Sequence, residues 1–200
     1  MPANFKIRPR MRTLLSPAVT KIEMAGIVSW LCVLLIEPAT TLNLLNMLVT
    51  ASLLVIWYVH RVVADFRIWR ILGGVYILIL SLGFAHVIDT NVQLRVFTLP
   101  LAVIIVVSSA ILFVTVQDYL LSTLLVWILM WLNLDVGFYR ELEVYLVSFC
   151  VASMSIGFTL SFTYLRNMRS VLLVESEFRT LAETDFLTSL LNRRAFMGFF

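Results

Sequence analysis

The chain has 200 residues, 61% of them hydrophobic and only 14% charged, with a mean hydropathy of +0.98. A soluble domain uses roughly 45–50% apolar residues, so this composition excludes an ordinary water-soluble globule and makes lipid the solvent for most of the chain. The net charge of +3 comes from basic residues beside apolar runs, which fits membrane topology rather than binding to nucleic acid.

Residues 1–21 carry Lys6, Arg8, Arg10, Arg12 and Lys21 with no apolar run among them and read as a tail. Crossing the hydrocarbon takes about 20 predominantly apolar residues, with a tolerated range of about 17–25. Six segments are assigned on that basis. The first, 22–36, extends back to Ala18 because Lys21 can snorkel to the headgroups. No small-residue cleavage signal closes it, so it reads as an uncleaved span. The others are 42–58, 71–88, 96–116, 119–134 and 144–165, with Gln117 and Asp118 forming the turn between the fourth and fifth. The expected fold is therefore an all-α membrane protein of six transmembrane helices.

Retained Lys and Arg mark the cytoplasmic side. With six spans, thirteen of the fifteen basic residues fall on the side of the two termini, and Arg95 and Arg140 alone fall opposite. Both termini are thus expected in the cytoplasm. Trp57, Tyr58, Trp69, Tyr119 and Tyr164 are placed at the inner boundary, and Trp131, Tyr139 and Tyr145 at the outer one, as interfacial aromatics.

Transport of ions needs ionisable groups near the bilayer midplane. Glu23, Glu37, Asp118 and Asp135 instead read as hydrated groups at span ends. A carrier of neutral solutes is left as the least favoured reading. His60 and His86 fall at opposite ends of their spans, separated by the roughly 30 Å hydrocarbon, and cannot share a metal ion or a haem. Each reads as an interfacial side chain, and Cys32 and Cys150 read as small packing residues. Ser153, Gly157 and Ser161 repeat every fourth residue on the last span and form a helix-packing face. That face serves either a dimer or another helix of the same bundle. Gly73 and Gly74 mark a close approach or a kink in the third span.

From Arg166 to Glu183 polar and apolar residues interleave. Tyr164, Asn167, Val171, Val174, Phe178, Leu181 and Asp185 alternate in steps of three and four, the seam spacing of a two-stranded coiled coil or of an amphipathic helix. Thr184 and Asp185 interrupt the pattern, and Thr188 and Ser189 can cap a following helix.

Residues 183–196 resemble the opening of a GGDEF domain, the diguanylate cyclase family. The matching positions are Asp185, Leu187 and Thr188, followed by Leu190, Asn192 and Arg193; Phe186 stands where proline is usual and Ser189 where glycine is common. The resemblance implies a bacterial inner-membrane signalling enzyme that condenses two GTP into cyclic di-GMP as a dimer, with GTP and Mg as ligands of the complete domain. On this reading residues 22–165 are a membrane sensor for an unknown ligand, 166–183 a cytoplasmic signalling stalk that pairs with a second copy, and 184–200 the first helix of a truncated α/β GGDEF domain. The metal-binding and GGDEF segments of the family have no counterpart in these 200 residues, so the chain itself is expected to bind no cofactor and to be inactive. The alternative is a non-enzymatic six-span protein or remnant that pairs with other signalling proteins.

Overall fold

A computed structural model describes residues 4–36, 43–132 and 143–183. Among them are six α-helices and no strand: α1 (Asn4–Ile36), α2 (Leu44–Val62), α3 (Phe66–Thr90), α4 (Thr98–Ser108), α5 (Val116–Leu132) and α6 (Glu143–Glu183). Short 3₁₀ segments, Val92–Phe97 and Ser109–Ile111, flank α4.

Local chemistry sets several helix starts. Asn43 caps α2, its side-chain oxygen accepting from the Leu45 amide at 3.1 Å. Asp65 caps α3, accepting from the amides of Arg67 (2.6 Å) and Ile68 (3.4 Å). Its charge also complements the positive end of the helix dipole, as Arg61 complements the negative end of α2. The Thr115 hydroxyl accepts from the Asp118 amide at 3.2 Å, opening α5. Pro100 lies in the first turn of α4, where its missing N–H costs nothing.

The surface is the inverse of a soluble protein. Leu35, Leu48, Leu121, Ile128, Phe149, Val151, Phe158 and Phe162 are exposed, while Glu23, Asn46, His60, Ser81, Ser109, Thr123, Ser153 and Ser161 are buried. Apolar side chains facing out and polar ones facing in suit a lipid surround, where interior polar groups satisfy one another. Five helical stretches are long and apolar enough to cross a membrane, and the remaining helix, α5, is apolar and has 17 residues.

The most enclosed helix is α3, packed on α1, α2, α4 and α5. Gly83 makes this possible: a Cβ there would lie 2.8 Å from Val49 of α2 and 3.0 Å from Trp30 of α1. Gly74 approaches Ser122 of α5 in the same way. The glycine pair at 73 and 74 is therefore a site of close packing. Trp30 is fully buried and donates from Nε1 to the Thr50 hydroxyl at 2.8 Å, tying α1 to α2.

The structure corrects several expectations. The residues read as an N-terminal tail are helical from Asn4 and continuous with the first span. The fourth span ends early: Leu112, Phe113 and Val114 form a buried connection instead of a helix. Gln117 and Asp118 are not the turn but the first turn of α5. Trp69 and Tyr119 are core residues, 1% and 0% exposed, rather than interfacial ones. Cys32 is exposed on α1, whereas Cys150 is half-buried against the core.

Candidate functional site: a buried ionisable pair and the stalk it adjoins

Three helices bring polar groups together inside the bundle. Glu23 stands at the midpoint of the Arg10–Ile36 stretch of α1, His60 in the last turn of α2, and Trp69, Gly73 and Tyr76 on one face of α3. Glu23 Oε1 lies 2.5 Å from His60 Nδ1, with side-chain exposures of 1% and 2%. Tyr76 donates its hydroxyl to the Glu23 carbonyl at 2.6 Å. That approach requires Gly26, where a Cβ would sit 2.5 Å from the Tyr76 oxygen. Trp69 covers the imidazole at a ring separation of 4.8 Å and stacks on Phe66. His60 Nε2 is buried and has no hydrogen-bond partner among the described residues.

These observations overturn two sequence readings. Glu23 is not a hydrated group at a span end, and His60 is not interfacial; they form an ion pair or its neutral equivalent inside the protein. A pair of this kind is costly to bury inside a protein unless each member satisfies the other. The signal was present in the sequence as an acid one turn into an apolar run, but its partner lies 37 residues away.

Charged side chains gather at the same end of the bundle. Arg70 of α3 forks onto Asp118 of α5, Nη2 lying 2.6 Å from Oδ1 and Nε also in contact with the carboxylate. Arg61 stacks over Trp57 at 4.5 Å. Arg12 reaches the Ala64 carbonyl at 3.4 Å. Arg10 of α1 pairs with Glu175 of α6 at 2.7 Å, and Met11 and Leu15 of α1 share a buried core with Leu165 and Leu172 of α6. The base of the stalk is thereby held against α1.

The stalk itself is part of a 41-residue helix, about 60 Å long at 1.5 Å per residue, roughly twice the hydrocarbon thickness. The predicted seam lies on the face turned away from α1: Val171, Val174 and Phe178 are 56%, 47% and 68% exposed, and Asn167 is exposed as well. Leu172 on the opposite side is buried.

The face of Ser153, Gly157 and Ser161 points into the chain's own bundle. Ser153 and Ser161 are buried, and a Cβ on Gly157 would overlap the Tyr119 hydroxyl of α5. The five motif positions Asp185, Leu187, Thr188, Asn192 and Arg193 lie outside the described residues. At the other end of the bundle, the Asn43 side chain meets His86 Nε2 at 3.1 Å. A cavity of about 400 Å³ opens there between α2 and α3, lined by Leu48, Val49, Ser52, Ile79, His86 and Asp89 among others. His60 and His86 are thus at opposite ends of adjacent antiparallel helices. Among the described residues no three His, Cys, Asp or Glu side chains form a metal-ligand set. No family model, curated protein or solved structure matches the chain.

Proposed function

We propose that this chain is the membrane sensor and signalling stalk of a diguanylate cyclase, with six spans, both termini cytoplasmic, and a homodimer formed through the stalk. The observation that carries the reading is the stalk: α6 leaves the bundle without a break, exposes Val171, Val174 and Phe178 as an apolar stripe, and runs up to the Asp185 to Arg193 motif that resembles a GGDEF opening. An exposed stripe with seam spacing is what two parallel helices cover in each other. The sixth span is α5, whose 17 residues reach the short end of the spanning range, about 17–25. With α1 and α2 crossing, the clustered Arg10, Arg12, Arg61, Arg67 and Arg70 stand on one side, which the positive-inside rule makes cytoplasmic, and with α5 crossing Arg166 and Arg169 join them.

The reading is tested on the natural gene product that contains this sequence, purified in lipid and supplied with GTP and Mg. Formation of cyclic di-GMP is the expected result. A product that pairs through the stalk but turns over no GTP replaces the enzyme with the second reading, a non-catalytic membrane partner, which the same exposed seam favours.

A further inference from the structure

We propose that the Glu23/His60 pair is a proton-binding site, and that its occupancy sets how α1 is held against α2 and, through α1, how the base of the stalk is held. The proton site stands on the geometry of the bundle; only its consequence for an output domain rests on the sensor-and-stalk reading.

The 2.5 Å separation of His60 Nδ1 and Glu23 Oε1 holds one proton between them. The second ring nitrogen, Nε2, is buried and without a hydrogen-bond partner among the described residues, so it is the place where a further proton is gained or lost. Without that proton the pair is a neutral imidazole beside a carboxylate and buries a single net negative charge. With it the pair is an imidazolium beside a carboxylate and buries no net charge. Among the described residues nothing else in the surroundings absorbs the difference. From α3 the group that meets the pair is Tyr76, bonded to the Glu23 carbonyl, together with the apolar edge of Trp69. Arg70 of α3 is engaged by Asp118 of α5, Arg61 of α2 lies over Trp57, Lys21 of α1 is exposed, and Glu175 of α6 is held by Arg10. Among the described residues no Lys or Arg pairs with Glu23. A unit change of charge inside an apolar interior is large compared with the energy that fixes one helix against another.

The mechanical link is α1. Glu23 and Arg10 are on one continuous helix, about 20 Å apart along its axis at 1.5 Å per residue. At the far end Arg10 grips Glu175 and Leu15 is buried in the core that contains Leu165 and Leu172. A change in how α1 seats on His60 is therefore delivered at the stalk.

The full chain is placed in lipid nanodiscs with His86→Gln, so that His60 supplies the one imidazole signal, and the ring ¹⁵N resonances are followed from about pH 5 to 8, the range in which imidazoles charge. In parallel, spin labels at Leu14→Cys and Arg169→Cys, with Cys32 and Cys150 replaced by serine, report the α1 to stalk distance. The expected result is one ring titration at Nε2 accompanied by a shift between two label distances with the same midpoint, both lost in Glu23→Gln. Should Glu23→Gln not fold, the coincidence of the two midpoints in the parent chain decides. A ring that keeps one protonation state throughout removes the proton site. A ring that titrates while the label distance stays fixed removes the coupling. Coincident titrations in a gene product without cyclase activity leave this proposal standing and remove the cyclase reading alone.

Discussion

Gly157→Ala separates packing within the bundle from packing between copies. The added methyl carbon overlaps the Tyr119 hydroxyl oxygen and lies 2.8 Å from Cζ, nearer than carbon atoms approach in folded proteins. Tyr119 is 0% exposed, so α5 and α6 have to separate or the ring has to shift within the core. Overpacking of this kind costs typically about 1–3 kcal/mol. Tyr119→Phe removes the atom that is struck. Its hydroxyl is without a hydrogen-bond partner among the described residues, so deleting it alone is expected to cost less than about 1 kcal/mol. In the double variant only the Cζ approach remains, and the two changes are expected to couple by about 1 kcal/mol in favour of the pair. The assay is unfolding of the purified chain in mixed micelles titrated with SDS, read by helical circular dichroism for the parent, both single variants and the double variant. Additive costs, within about 0.3–0.5 kcal/mol, would refute packing of Gly157 on Tyr119. If the stripe served a dimer instead, Gly157→Ala would change the concentration dependence of association and show no coupling to residue 119.

Three further outcomes follow from named contacts. Glu23→Ala leaves His60 buried without its carboxylate and is expected to destabilise by about 3–5 kcal/mol in the same titration, whereas Glu23→Gln, which keeps an acceptor in place, costs less; equal costs would count against the pair. Arg70→Ala breaks a fork that is 41% exposed on the arginine side, so its cost is expected to stay near or below about 1 kcal/mol and to shrink further in high salt, measured by repeating the titration at two ionic strengths. For the stalk, Val174→Cys in a background lacking Cys32 and Cys150 is expected to cross-link two copies efficiently and Leu172→Cys poorly, because Val174 is 47% exposed and Leu172 5%; Phe178→Glu should abolish the Val174 cross-link, and preferential linkage at 172 would reverse the assigned face.

Most of the helical layout was legible because hydropathy reports it directly: a segment with no charge over some 20 residues has few alternatives to a helix in lipid. The boundaries that failed are those set by something other than hydropathy. Residues 112–114 are as apolar as the span before them, yet they fold as a buried connection, the Leu112 amide closing a turn on the Ser109 carbonyl before it and the Thr115 hydroxyl capping α5 after it. The helical extension of α1 was hidden by its charges, which lie along a helix whose other face carries Met11, Leu15 and Val19 into the core. Sequence spacing identified the face of Ser153, Gly157 and Ser161 but not what covers it. The pairing of Glu23 with His60 was not readable at all, since each residue alone is unremarkable at the end of an apolar run and only the α1/α2 register brings them together.

That register also explains why the pair matters more than its count of atoms suggests. Helices in lipid gain nothing from hiding apolar surface from one another, so close approach at glycines and interior polar contacts fix their positions. Between α1 and the helices beside it, three interior polar contacts are Trp30 to Thr50, Tyr76 to the Glu23 carbonyl, and Glu23 to His60. The first two are hydrogen bonds between neutral groups and hold at any proton activity. Of the three, the last joins two ionisable side chains, and it lies between the Trp30 anchor and the Arg10 grip on the stalk. Loosening it leaves α1 held at Trp30 and by the Tyr76 bond to the Glu23 carbonyl, so the part of the helix that responds is the arm from Glu23 to Arg10, which ends on Glu175.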